Sequence, residues 1–385
     1  MKWIHRLLLL FLFFVLPCSC AQKNDIFTAV GASIASPSSL AVNVAENRLY
    51  VVNSNSKVLY RAEEGNFQTY NITNPLAPVL LGTAQTESFS GEIYLDIAGK
   101  TAWVPNRYSA QSNSVLSQLL KINIDESAGP VPTLTESTLD RDGYSIACCY
   151  PARRAWISTT LDRIDYVDLD GNRTPSSISL LPPLSNGGSL VSAPINHVLL
   201  KGNQAFLSRT GGGVMIVNLD EAAVPGVQPV DYLIYDIDNA RGLATDGALL
   251  YVVGEGDVGS DYRRYLAIID PFSLTPSATN TSAKMVSRND IGILVKLIDV
   301  NENPQEVLLT SKYAFVTNQN SKNVTVIDLA TRTKVKDIIV GEEPFSMALY
   351  KTGAGEEKYL YVGNLFSDTI SIIDIASLAV VATLQ

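Results

Sequence analysis

The sequence predicts an all-β fold, a seven-bladed β-propeller with four antiparallel strands in each blade. The first observation is an aromatic residue that opens a short apolar strand seven times, at intervals of 45 to 64 residues. These aromatics are Tyr50, Trp103, Trp156, Phe206, Tyr251, Phe315 and Tyr361. The second observation is an Asn or Asp that closes the following strand in the same phase, at Asn71, Asn123, Asp168, Asn218, Asp270, Asp328 and Asp374. Two more strand-like runs precede the next aromatic, and four short strands per repeat are typical of propeller blades.

Both repeated residue types have a structural reason to recur. A large ring can fill the wedge between two neighbouring twisted sheets, so we expect the aromatics at the interfaces between blades. An Asn or Asp side chain can accept a hydrogen bond from the backbone of the next turn. Two arrangements of ring closure are expected, because both Asp25–Ala32 and Leu378–Leu384 are predicted as outer strands of the last blade: either the N-terminal strand adds a fifth strand or one of the two frays.

Several repeats also carry a family resemblance. The segments Tyr313–Asn318, Asn323–Asp328 and Tyr359–Asn364 resemble the YVTN-type propeller repeat. The segment Asn71–Pro75, together with Pro78–Gly82, resembles the related LVIVD repeat. The resemblance implies an exported seven-bladed propeller, whose relatives include surface proteins, lactonases and quinoprotein-like or haem-binding domains. It carries no catalytic residue onto this chain.

The first 21 residues are typical of a secretory signal peptide, and residues 22–385 are expected to form one propeller domain. A basic start precedes the apolar run Leu7–Leu16, which is about half the length of a membrane-spanning helix. The small residues around Cys20 fit cleavage by an ordinary signal peptidase, and they also resemble a bacterial lipobox that would place a lipid on Cys20. We therefore expect export to the periplasm, outer membrane or cell surface, with membrane contact only through that lipid.

Charge and cysteine content narrow the function further. Asp and Glu total 38 against 29 Lys and Arg, which gives a net charge of -9. A nucleic-acid partner is not expected, because phosphate binding relies on clustered cations. Beyond the leader only Cys148 and Cys149 remain. They could form a vicinal disulfide, but the alternation of side chains along a strand favours two unbridged cysteines on opposite faces of a blade.

Uneven connections predict where a ligand would bind. The separation from aromatic to Asn or Asp is 21, 20 and 19 residues in blades 1, 2 and 5, against 12 or 13 in the others. The connections between second and third strands leave on the face that usually carries function in propellers, so extra length there indicates a binding rim. Arg and Tyr dominate binding hot spots. The candidate ligand-binding residues are Arg107, Tyr108, Arg209, Asp257, Tyr262 and Arg264.

A second set of positions lies at the expected channel mouth, three residues after each aromatic. Four of these positions are Asn, namely Asn53, Asn106, Asn318 and Asn364. We expect these amides to cap turns between strands rather than to bind a ligand. Arg209 breaks the pattern at the equivalent position of blade 4.

The chain offers few catalytic side chains. Its only histidine beyond the leader is His197, which disfavours histidine-rich metal centres and Ser-His-Asp catalysis. We predict no metal and no cofactor, and a non-enzymatic cell-envelope scaffold that binds a protein, glycan or small ligand. One alternative is a lactonase-like, metal-assisted hydrolase using Asp236, Asp238, Asp257 and Asp261, and another is a redox or quinoprotein-like domain.

Overall fold

Seven four-stranded antiparallel sheets surround a central channel in the computed structural model of the protein. The structure describes residues 33–54, 65–86, 90–108, 115–125, 133–139, 143–160, 162–170, 176–181, 187, 192–222, 224, 229–259, 261–274, 282–290 and 292–385. The leader with Cys20 and the segment Asp25–Ala32 lie outside these residues. In the described ranges the single helix, α1 (Leu219–Ala222), is four residues long, and no helix is long and apolar enough to span a bilayer.

Each blade is built from strands that follow one another along the chain, as the repeat predicted. Blade 1 comprises β1 (Pro37–Asn43), β2 (Arg48–Asn53), β3 (Gly65–Asn71) and β4 (Val79–Thr86). Blade 2 comprises β5 (Tyr94–Asp96), β6 (Thr101–Tyr108), β7 (Val115–Asn123) and β8 (Thr133–Thr138). Blade 3 comprises β9 (Gly143–Cys148), β10 (Arg154–Thr159), β11 (Arg163–Asp168) and β12 (Ser176–Ser179). Blade 4 comprises β13 (Ile195–Lys201), β14 (Gln204–Arg209), β15 (Val214–Asn218) and β16 (Val230–Tyr235). Blade 5 comprises β17 (Leu243–Thr245), β18 (Leu250–Val258), β19 (Asp261–Ile269) and β21 (Leu294–Asp299). Blade 6 comprises β22 (Pro304–Leu309), β23 (Tyr313–Asn318), β24 (Asn323–Asp328) and β25 (Thr333–Ile339). Blade 7 comprises β26 (Pro344–Lys351), β27 (Glu357–Asn364), β28 (Thr369–Asp374) and β29 (Ala379–Leu384).

The first strands of successive blades contact one another all the way round and form the channel wall. Every sheet has its strands in chain order from the first to the fourth. All connections between second and third strands therefore leave at one end of the channel, which we call the upper face. One strand departs from the plain repeat: β20 (Lys284–Ser287) comes from an insertion in blade 5 and pairs in parallel with β16 at the edge of blade 4. This insertion accounts for the longest interval in the aromatic series.

The recurring aromatics fill the interfaces between blades, as the sequence predicted. All seven rings are buried, none more than 2% exposed. Each lies in a separate apolar cluster between its own blade and the next, and there are seven such clusters. Phe315, for example, packs with Val326 of its own blade and with Met347 and Leu360 of blade 7. One ring per interface therefore sets the spacing of the blades.

The second series also has its expected role in six of the seven blades. The side-chain oxygens of Asn71, Asn123, Asn218, Asp270, Asp328 and Asp374 accept backbone N–H groups two or three residues later, at 2.7 to 3.1 Å. The carboxylate of Asp168 accepts from Arg154 at 2.7 Å, and residues 171–175 of the turn after it lie outside the described part of the chain. The turn after each third strand is thus held by its own sequence in most blades.

Ring closure relies on packing between blades 7 and 1. The outer strand of blade 7 is β29, so the C-terminal segment fills the position that the sequence left open. Across the closing interface, Tyr361 and Ile370 share an apolar cluster with Leu49. The Ser36 amide donates to the Asp368 carboxylate at 2.8 Å. Within the described residues no strand is shared between the first and last blades.

The wedge role of the aromatics can be tested in blade 6. We expect Phe315→Ala to lower the free energy of unfolding by about 3 to 5 kcal/mol, because it empties a closed apolar interface. The matched control is Val335→Ala, whose side chain is exposed on the outer strand of the same blade, and it should cost less than about 1 kcal/mol. Denaturant unfolding measures both, and equal losses would contradict the role assigned to the ring.

Candidate functional site

A cavity of about 420 Å³ occupies the channel at the upper face. Its lining includes Thr160 and Thr210, which follow directly on the second strands of blades 3 and 4 and so mark this end of the channel. All seven blades contribute to the wall near the start of their first strands. The blades contribute, in order, Ser39, Glu92, Tyr144, His197, Arg241, Glu306 and Phe345. The cavity is therefore a product of the whole ring rather than of one loop.

β-Bulges at the start of several first strands bring these side chains to the cavity. The pairing register skips a residue between Pro37 and Ser39, between Ile195 and His197, and between Pro344 and Ser346. In blade 6 it skips Gln305 and Glu306 together, and in blade 3 it skips Tyr144 and Ser145. A bulge leaves its extra residue unpaired and redirects its side chain. The same device thus exposes Tyr144, Glu306 and Phe345 to the channel.

The acidic part of the cavity joins blades 2, 4 and 6. His197 Nε2 lies 3.4 Å from Glu92 Oε1. Glu306 Oε2 accepts the backbone N–H of Met347 at 2.7 Å. Burial raises the pKa of Glu306 well above its usual range, and the charge of Glu92 adds to this shift. The residue still keeps some exposure to the cavity. The negative charge of Glu92 therefore disfavours ionisation of Glu306 in the same cavity.

Arg241 is a basic residue of the cavity lining and lies near an acid of blade 5. Arg241 Nη2 lies 3.8 Å from Glu255 Oε1, and Asn239 donates to the same oxygen at 3.2 Å. Burial lowers the pKa of Arg241, while Glu255 and Tyr262 oppose the shift. Glu255 and Tyr262 belong to the β18–β19 hairpin, which pairs continuously from Leu250 to Val258. Arg241 therefore links the cavity to the long connection of blade 5.

Two aromatic rings meet inside the cavity from blades that are not neighbours. Tyr144 of blade 3 and Phe345 of blade 7 pack edge to face, with ring centroids 6.3 Å apart and planes at 84°. Blades 3 and 7 lie on opposite sides of a seven-membered ring, so the two side chains reach towards the axis. They give the site an apolar surface beside its charged groups.

The predicted rim residues of blade 5 lie in the hairpin beside this opening. Tyr262 is 57% exposed, and the Arg264 guanidinium lies 5.4 Å from the centroid of its ring. Arg264 Nη2 also lies 3.7 Å from Glu302, and Asp257 pairs with Tyr262 in the strand register. Arg107 and Tyr108 end β6 on the same face, but their side chains lie outside the described part of the chain. The structure thus brings Asp257, Tyr262 and Arg264 together. A role in binding remains a prediction for these three residues and for Arg107 and Tyr108.

Arg209 occupies a different environment from the other candidates. It is 2% exposed and makes two hydrogen bonds to Asp162, from Nε to Oδ1 at 2.6 Å and from Nη2 to Oδ2 at 2.9 Å. Its Nη1 donates to the Gly212 carbonyl oxygen at 3.3 Å. Asp162 also accepts the Ala193 amide at 2.8 Å. The geometry assigns Arg209 to the junction of blades 3 and 4.

The Asn residues at the equivalent positions also face inward to the protein. Asn318 accepts the Asn301 amide at 3.1 Å and donates to Asn323 at 2.8 Å. Asn53 accepts the Ala35 amide at 3.1 Å and donates to Gln68 at 2.8 Å. In each case the amide joins the chain that enters the blade to the third strand. These buried amides hold strands together.

Cys148 and Cys149 form a vicinal disulfide, so the expectation of two unbridged cysteines was wrong. That expectation placed both residues inside a strand. In fact β9 ends at Cys148, and Cys149 lies in the following turn, where strand alternation no longer separates the side chains. The Tyr94 hydroxyl lies 3.2 Å from Cys149 Sγ. This turn follows a first strand and lies at the opposite end of the channel from the cavity.

The acidic residues considered for a metal site are used in separate ways. Asp236 accepts the Ser287 hydroxyl at 2.6 Å, and Asp238 lies against the Gly256 backbone, where an added Cβ would be 2.6 Å from its Oδ2. Across the ranges that the structure describes, no group of three His, Cys, Asp or Glu residues is arranged to hold a metal ion.

Comparison with known proteins supports the architecture only. No family model matches the sequence, and no curated protein matches it either. The structure is similar to that of the hydrazine synthase from Kuenenia stuttgartiensis, with a TM-score of 0.63 and 14% sequence identity over 91% of this chain and 98% of that chain. At this identity the similarity shows a shared β-propeller fold and does not transfer an activity.

The internal role of Arg209 predicts a large effect on stability. Arg209→Ala leaves the Asp162 carboxylate buried without its main cation, so unfolding should become easier by about 3 to 5 kcal/mol. Arg263→Ala provides the control, because Arg263 pairs with Asp299 at the surface and such pairs contribute about 1 kcal/mol or less. Equilibrium unfolding of both variants gives the comparison. A loss for Arg209→Ala as small as that of the control would rule out the assigned role.

Glu306 predicts a pH dependence of stability. Its folded-state pKa is raised, so its contribution is fully present below the ordinary glutamate pKa and is lost as pH rises through the raised value. Glu306→Gln keeps an acceptor for Met347 and removes the charge. The variant should therefore gain stability over the wild type as pH rises, by about 1.4 kcal/mol for each unit of the pKa difference.

Urea unfolding between acidic and mildly alkaline pH measures this gain. Glu356→Gln, which changes the same charge at an exposed position in the turn between β26 and β27, should show no such trend. A stability difference between Glu306→Gln and the wild type that does not change with pH would contradict the account.

Proposed function

We propose that the protein is a non-enzymatic binding module of the cell envelope, and that a small polar ligand binds in the cavity at the upper face. The observation that carries this proposal is the convergence of side chains at strand bulges from several blades on one cavity. Its volume of about 420 Å³ falls within the range of small-molecule sites. Its lining combines two aromatic rings with several polar groups, as such sites usually do.

The rigidity of the wall also favours binding. The first strands that form it are fixed by inter-blade packing and by the buried amides described above. A site that is already ordered loses little conformational entropy when a ligand binds. A ligand that extends out of the cavity would, on this proposal, contact Tyr262 and Arg264 of the β18–β19 hairpin.

Three of the hydroxyl groups that line the cavity are hydrogen-bonded to the backbone, which favours a structural role for them. Ser39 Oγ accepts the Ile93 amide at 3.0 Å, and Ser158 Oγ accepts the Ser145 amide at 2.9 Å. Thr159 Oγ1 donates to the Arg163 carbonyl at 2.9 Å. A catalytic nucleophile needs a base within hydrogen-bond reach, and these hydroxyls are bonded to the backbone. We therefore assign them to the wall of a binding site.

The envelope location rests on the leader of the sequence. An apolar run after a basic start, with Cys20 at its end, favours export and attachment through a lipid.

Occlusion of the cavity tests this proposal. Thr160 lines the cavity, so Thr160→Trp should fill part of the space and weaken ligand binding by about tenfold or more. Val335→Trp adds the same ring to the exposed outer strand of blade 6 and should leave binding unchanged. The full chain is screened by thermal shift against a panel of small cationic, neutral and anionic polar compounds, and hits are quantified by calorimetry. Absence of any hit, or hits that ignore Thr160→Trp, would overturn the proposal.

A further inference from the structure

We infer that the ligand of this cavity is a small organic cation, an amine or quaternary ammonium compound bound between Glu92 and Glu306 and against the rings of Tyr144 and Phe345. This inference rests on the proposed function, because it names the chemical class of the ligand for the same site.

The first argument is the charge of the cavity. Glu92 and Glu306 line the same space from blades 2 and 6, and the charge of Glu92 acts on Glu306. Only Oε2 of Glu306 has a hydrogen bond among the described residues, to Met347. Oε1 is left for a donor from the ligand. Two carboxylates in one enclosed space repel each other, and a bound cation would remove that repulsion.

The second argument is that, within the described residues, no Lys or Arg forms an ion pair with Glu92 or Glu306. Arg241 is directed to Glu255, so its charge is balanced within the blade 5 hairpin region. His197 contacts Glu92 through Nε2, and its buried Nδ1 has no hydrogen-bond partner within the described ranges. Even a protonated His197 would balance one carboxylate and leave the other. The cavity therefore attracts cations and repels anions.

The third argument concerns the apolar part of the ligand. The electron-rich faces of aromatic rings attract cations. Organic ammonium ions bind to them well, because these weakly hydrated ions lose little hydration energy when they leave water. Tyr144 and Phe345 supply two rings from opposite sides of the channel. A compound with a charged nitrogen and a short carbon chain can contact both the carboxylates and the rings.

A bare metal ion fits this site less well than an organic cation. Calcium takes six to eight oxygen ligands, and structural or catalytic zinc takes three or four protein ligands. No group of three candidate metal ligands converges among the residues the structure describes. An ammonium group instead needs only a few hydrogen-bond acceptors or an aromatic surface, which this cavity offers.

The test compares compounds of equal shape and different charge on the full chain. Choline and its neutral isostere 3,3-dimethyl-1-butanol differ mainly in the charge of one central atom, and ethanolamine and ethylene glycol form a smaller pair. Glucose and glycerate represent neutral polyols and anions. We expect calorimetric binding of at least one cation and none of its neutral partner. Glu92→Gln and Glu306→Gln should each weaken that binding about tenfold or more, whereas Glu356→Gln should not change it.

The pH dependence of ligand binding provides a second test. Binding of a cation should strengthen as pH rises, because Glu306 must be ionised to pair with it, and binding should release protons in buffers of different ionisation enthalpy. The other titratable groups facing the cavity are Glu92, His197, Tyr144 and Arg241.

The outcomes separate the inference from the proposed function. If glucose or glycerate binds in a manner that Thr160→Trp abolishes, while every cation fails, the cavity is a ligand site and the inference of a cationic ligand is wrong. Cation binding that is unaffected by both Glu→Gln variants overturns the inference in the same way. If no compound of any charge binds, the proposed function itself fails.

Discussion

Packing between neighbouring blades is the constraint on which the rest of the structure depends. Two twisted sheets that meet at an angle leave a wedge, and one buried ring fills it at each of the seven interfaces. The last interface is closed in the same way, by Tyr361 and its cluster, with the Ser36 to Asp368 hydrogen bond as an addition. Because closure depends on side chains, each interface is also a point at which a single substitution can weaken the whole ring.

The channel and its cavity follow from that packing. Seven first strands are brought together around one axis, and their bulged starts direct Tyr144, Glu306 and Phe345 into the space between them. Glu306 is unfavourable for stability at neutral pH, since burial opposes its charge. A large ring with seven apolar interfaces can tolerate that cost. Residues that reduce stability in this manner are often retained for binding or catalysis, because function requires groups that folding alone would not select.

The sequence predicted the scaffold well and the site poorly, for identifiable reasons. Aromatic and Asx residues act locally, so their spacing was visible, whereas the pairing of Arg209 with Asp162 spans 47 residues and two blades. The sequence did not predict the cavity residues, because long connections between second and third strands indicated a site at the rim instead. A signal was present: four first strands start at or directly after a proline, at Pro37, Pro194, Pro304 and Pro344, and the next residues form the bulges. Proline favours strand starts and bulges, but the register that turns a bulge towards the channel needs the folded sheet.

Two buried charge arrangements in this protein show why the cavity, and not the blade junction, is the better ligand site. Arg209 and Asp162 satisfy each other through two parallel hydrogen bonds, so neither requires anything from outside the chain. Glu92 and Glu306 have the same sign, and His197 contacts Glu92. A folded protein can keep a compensated pair for stability alone. An uncompensated pair in an open cavity is better explained by a charge that arrives with a ligand, and the position of the two acids in blades 2 and 6 means that only the closed ring could bring them together.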